Sequence, residues 1–83
     1  MGVKKDKYRL IIYSTPDLDP QHLSDMIREV FAYDVTQIGN ILNILAIKGS
    51  YRVKSYKMYR DAMEDCKILF AYGVDCEVER ILE

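Results

Sequence analysis

Eighty-three residues, 49% of them hydrophobic and 30% charged, suit one compact domain: the chain is too short for two cores and too apolar for a disordered tail. A formal net charge of -1 and a pI near 5.8 supply no bulk field toward nucleic acid or an anionic membrane, so a role there needs a local patch. No stretch nears the roughly 20 apolar residues of a membrane-spanning helix, and the polar start Met1 to Lys7 lacks the apolar segment of a secretion signal, so a cytoplasmic protein with no membrane partner is expected.

Residues 1–7 read as a short solvated arm ahead of a single domain over 8–81, and Leu82-Glu83 has the form of a cloning scar. Tyr8 to Tyr13 carries the aromatic and branched residues of a strand, and its near-continuous apolarity predicts a central strand with both faces partly covered. Ser14, Thr15, Pro16 and Asp17 stop it, because proline donates nothing to a ladder and the others favour local turns.

Asp19-Pro20 predicts a helix start, with a carboxylate to accept from the first turn and proline suited to the first helical position. Leu23, Met26, Ile27, Val30 and Phe31 then form one inward stripe. After a corner at Ala32-Tyr33-Asp34, the Asp34/Gln37 spacing is that of a capping box. It opens a second helix whose stripe, Val35, Ile38, Ile41, Leu42 and Leu45, ends at Gly49.

Ser50 to Lys54 reads as a short strand, with Tyr51 and Val53 on one face and Arg52 and Lys54 on the other. Ser55 is the expected cap of a third helix starting between Tyr56 and Tyr59, burying Ala62, Cys66, Leu69 and Phe70 and stopping at Gly73. Val74 to Ile81 alternates as a half-exposed strand, with Cys76 and Val78 inward and Glu77 and Glu79 outward.

The order β-α-α-β-α-β predicts an α+β two-layer sandwich: a three-stranded sheet with three helices on one face. A ferredoxin-like chain would need a hairpin where this one places its second helix.

These residues carry a resemblance. Tyr8 to Tyr13, the helix reaching Val30-Phe31, Ile41-Leu42, the stop at Gly49, and Arg60 to Glu64 resemble the ClpS adaptor of the Clp protease. Ala62 to Val78, including Ala71-Tyr72-Gly73-Val74, is similar to the C-terminal domain of the ribosomal stalk protein, which shares that ClpS-like fold.

The resemblance implies an adaptor-like, non-enzymatic protein. Such adaptors are expected to hold a peptide's free N-terminal amine with an Asn-Asp-Asp type loop after the first strand and a His on the second helix. This chain has Ser14-Thr15-Pro16 and Ala46 there, with Asp17 one residue late, and so lacks the residues that recognise destabilising N-termini.

Two surfaces are candidate contact sites. The second helix has no charge from Val35 to Ile47, and its outward strip, Thr36, Asn40, Asn43, Ile44 and Ile47, is of the kind that docks a protein partner or a second copy of the chain; monomer or weak homodimer is the expected state. The alternative is nucleic-acid or ribosome association through Lys48, Arg52, Lys54, Lys57 and Arg60, interleaved with Tyr51, Tyr56 and Tyr59. Those cations also suit a guarded edge strand.

No Ser-His-Asp, Cys-His or glycine-rich phosphate arrangement can be assembled, so no catalytic residue, cofactor or enzyme activity is expected. Cys66 and Cys76 are not spaced as a CxxC pair, and with His22 alone they fall short of a zinc site. They read as packed, reduced thiols, His22 as a helix-surface residue, and Asp61, Glu64, Asp65 and Asp75 as solvated acids.

Overall fold

The computed structural model describes residues 7–15 and 17–81. The element order is β1 (Tyr8–Tyr13), α1 (Pro20–Phe31), α2 (Val35–Lys48), β2 (Ser50–Tyr56), α3 (Tyr59–Ala71) and β3 (Cys76–Arg80), the expected β-α-α-β-α-β. The solvated arm over residues 1–6, the strand stop at Pro16 and the scar at 82–83 lie outside the described residues. Lys7, read as the end of the arm, instead bonds into the sheet: its N–H donates to the Tyr56 carbonyl at 2.9 Å and its carbonyl accepts from the Ile81 N–H at 2.8 Å.

The sheet runs β2-β1-β3 with β1 antiparallel to both neighbours. Apolar β1 takes the centre because it is the one strand that can be covered on both faces. Leu10 and Ile12 point into the helical layer, while Ile11, buried on the opposite face, lies between Arg52 and Glu77 across the sheet. Charged β2 and β3 take the edges, where Lys and Glu side chains discourage further strand pairing.

The helix ends are fixed as their residues dictate. Asp19 accepts from the Gln21 N–H at 3.1 Å with Pro20 at the first helical position. Asp34 and Gln37 close a reciprocal capping box at 2.8 and 3.1 Å. Gly49 ends α2 with φ +81°, a left-handed conformation that glycine adopts without a Cβ penalty. Ala32 makes the same kind of turn at φ 57° to end α1, at the cost a side chain incurs in that region.

Met26 and Ile27 of α1, Ile38, Ile41 and Leu45 of α2, and Ala62, Cys66 and Leu69 of α3 meet Leu10, Ile12, Val53 and Tyr56 of the sheet in one core. Leu23, Val30, Phe31, Leu42 and Val78 pack around it, half-buried.

Five local expectations are corrected. Val35 is 73% exposed, because helical spacing fixes the angle around the axis and not how far the core reaches along it. Phe70 is 68% exposed: at 100° per residue it lies about 80° around the helix from Ala62, at the margin of the buried line. Ser55 caps nothing, since β2 continues to a buried Tyr56, and Met58 precedes α3 without a side-chain cap bond. Val74 is not in β3; it plugs the core between α3 and the strand.

The fifth correction concerns Lys54. Leu10 pairs with Lys54 and Ile11 with Arg52, so a bulge at Val53 breaks the simple alternation of β2. Lys54 therefore follows Tyr56, its Nζ 5.3 Å from that ring's centre, and parts company with Arg52.

Candidate functional site

The outward strip of α2 is positioned by the residues that bury its other side. The capping box sets where the helix begins, and Ile38, Ile41 and Leu45 lock its rotation against the sheet. Thr36, Asn40, Asn43 and Ile47 are then all exposed, Ile47 at 73%, and Ile44 is half-buried at the strip's edge. A Cβ built on Gly39 would meet nothing within 4 Å. Exposed Val35, unforeseen from the spacing, lies at the helix's first turn. Charges that normally hydrate an outer helix face are missing over this length.

Within the basic segment, Arg52 and Lys54 fall on opposite faces of the sheet. Lys48 and Arg52 border a groove of about 460 Å³ that also includes Ile11, Tyr13, Ile44, Glu77 and Glu79. Within that neighbourhood the Tyr13 hydroxyl donates to Glu77, which raises the Tyr13 pKa, and Arg9 pairs with Glu79 at 3.2 Å. Lys54 lies in a separate groove of about 280 Å³ with Tyr56, Asp61, Glu64 and Asp65. Lys57 and Arg60 are exposed near the start of α3. The bulge thus sets Lys54 apart from Lys48 and Arg52, and carboxylates line both grooves beside these cations.

In the second groove the buried Tyr56 hydroxyl donates to Asp65 Oδ2 at 2.6 Å. Burial first, then this bond to a carboxylate, pushes the phenol's pKa far above its ordinary value. Asp65, read as part of a solvated acidic face, is half-buried and holds this tyrosine in place.

The positions where the adaptor resemblance implies amine ligands are differently employed. The Thr15 hydroxyl bonds the Tyr13 carbonyl and the Asp75 N–H, both at 3.3 Å; the Ser14 N–H donates to the Gly49 carbonyl at 2.9 Å; and Ala46 is exposed.

His22 is exposed, with Nε2 3.3 Å from the Tyr72 carbonyl. Among the described residues no three His, Cys, Asp or Glu side chains gather as a metal site would require, and no helix is long and apolar enough to cross a membrane.

Cys66 and Cys76 are brought together, Sγ to Sγ 3.1 Å. The sequence held a signal for this: both cysteines fall on predicted inward faces, either side of the reversal at Gly73.

The chain matches no protein-family model and no curated protein sequence.

Proposed function

We propose that this chain is a small, non-enzymatic protein-interaction module that docks a protein partner through the outward face of α2. The observation that carries the reading is the strip itself: fourteen helical residues of which only the last, Lys48, is charged, with Thr36, Asn40, Asn43 and Ile47 turned to solvent. Gly39 and the two asparagines each sacrifice roughly 0.5 to 1 kcal/mol of helix propensity relative to alanine. Small uncharged side chains permit close approach and, once hydrogen-bonded across a contact, cost less to bury than the ammonium of a lysine. The adaptor-like part of the proposal rests on the ClpS-type resemblance alone, with a client held by this strip and not by its N-terminal amine.

The test compares the native chain with the double variant Asn43→Lys, Ile47→Lys. Circular dichroism should show both folded, since the two sites are exposed. Chemical cross-linking in extract of the native source, followed by sedimentation of the purified complex, should show a protein partner retained by the native chain at raised salt and lost from the variant. Equal capture by both proteins refutes the strip as the docking face. Binding that collapses with salt and follows RNA or DNA supports instead the competing use of Lys48, Arg52, Lys54, Lys57 and Arg60.

A further inference from the structure

The chain holds two cysteines, ten positions apart in sequence and on different elements, and the fold places their sulfurs in contact. Cys66 lies on the buried line of α3 beside Leu69. The helix ends at Ala71, Gly73 reverses the chain at φ +89°, Val74 anchors the return in the core, and Cys76 opens β3 next to Cys66. The Sγ–Sγ separation of 3.1 Å is about 1 Å longer than a disulfide bond, and Cys76 Sγ also donates to the Cys66 carbonyl at 3.2 Å. With no third cysteine, the pair has one intramolecular partnership available. Cys66 is buried and Cys76 half-buried, so a dissolved reagent meets Cys76 first.

We propose that Cys66 and Cys76 form a reversible two-electron redox site, closing to a disulfide between α3 and β3 by exchange with a small disulfide of the glutathione class. The Cys76 thiolate attacks the reagent's S–S bond, forming a mixed disulfide and releasing one glutathione thiolate. Cys66, losing its proton to solvent, attacks Cys76 Sγ and expels the second. Two protein thiols are oxidised and one glutathione disulfide is reduced to two thiols.

Burial, and then the hydrogen bond with Cys66, raise the Cys76 pKa, so exchange is slow at neutral pH and quickens as pH rises. The bond closes a loop of the α3 end and its reversal, which on chain-entropy grounds favours folding by roughly 100-fold. By linkage the native chain should form the disulfide more readily than the unfolded chain by that same factor.

The full chain is equilibrated in graded reduced and oxidised glutathione at about pH 8, native and in concentrated guanidinium, then quenched, alkylated and weighed intact. The expected native product has lost both alkylatable thiols together, is lighter by two hydrogens, carries no adduct, remains unlinked to other chains, and reverts with dithiothreitol. Its formation constant should exceed that of the unfolded chain by roughly a hundredfold. Cys66→Ser should trap glutathione on Cys76. The proposal is overturned if the native thiols stay alkylatable under conditions that oxidise the unfolded chain, or if the native product is a stable glutathione adduct or a linked dimer. Both readouts use the native sequence, so they stand even where the serine variant fails to fold.

Discussion

Replacing Tyr56 by Phe tests the energetics of the second groove with one oxygen atom. Tyr56 is 7% exposed and donates to the half-buried Asp65 at 2.6 Å. Removing the hydroxyl loses a hydrogen bond to a charged group, about 1.5 kcal/mol at neutral pH, at the low end of the usual range because the open groove lets Asp65 recover water. The cost should then shrink with pH. The phenol keeps its proton in the folded state well above pH 10, whereas in the unfolded chain it ionises with an ordinary pKa near 10.

A raised acid pKa means that the Tyr56 contribution is complete below pH 10 and lost as pH rises beyond it. At pH 11 ionisation of the unfolded phenol lowers stability by about 1.4 kcal/mol, a loss the Phe variant does not share. The difference between the two proteins should therefore fall from about 1.5 kcal/mol at pH 7 to nearly zero at pH 11. Tyr13, Tyr33, Tyr72 and Cys76 are raised in the same sense, but they occur in both proteins and cancel. Urea unfolding followed by far-ultraviolet circular dichroism at the two pH values gives the comparison. A difference that stays constant or grows with pH refutes the assignment of a neutral, buried Tyr56 hydroxyl.

Leu69→Ala, at a side chain with no exposure, should cost about 3 to 5 kcal/mol in chemical denaturation, whereas Leu42→Ala, half-buried, should cost less; equal losses would show that the α2 phase is wrong. Ala32→Gly should raise stability by about 0.5 to 1 kcal/mol by relieving the left-handed turn at φ 57°, and a destabilised variant would refute that conformation. Peptides with a free N-terminal Phe, Leu, Tyr or Trp should give no measurable heat of binding, because Thr15 is occupied within the fold and Ala46 offers no ligand. Binding that N-acetylation abolishes would overturn this.

Local chemistry made much of the architecture legible. Asp19-Pro20, the Asp34/Gln37 box and Gly49 act through groups within four residues of one another, so their pattern in sequence is already their geometry. The inward stripes followed from helical period, and the central place of β1 from an apolar run that no edge strand could leave exposed. Whatever depends on two segments meeting was decided by the tertiary structure. A bulge at Val53, visible only in the pairing of β2 with β1, separates Lys54 from Arg52 and divides a basic segment that looks continuous in sequence. Exposure of Val35 and Phe70 depends on where the core ends, which periodicity does not encode. The Tyr56–Asp65 bond and the contact of Cys66 with Cys76 arise because α3 packs against both edge strands, a juxtaposition set by the sum of core contacts and by no residue pair alone.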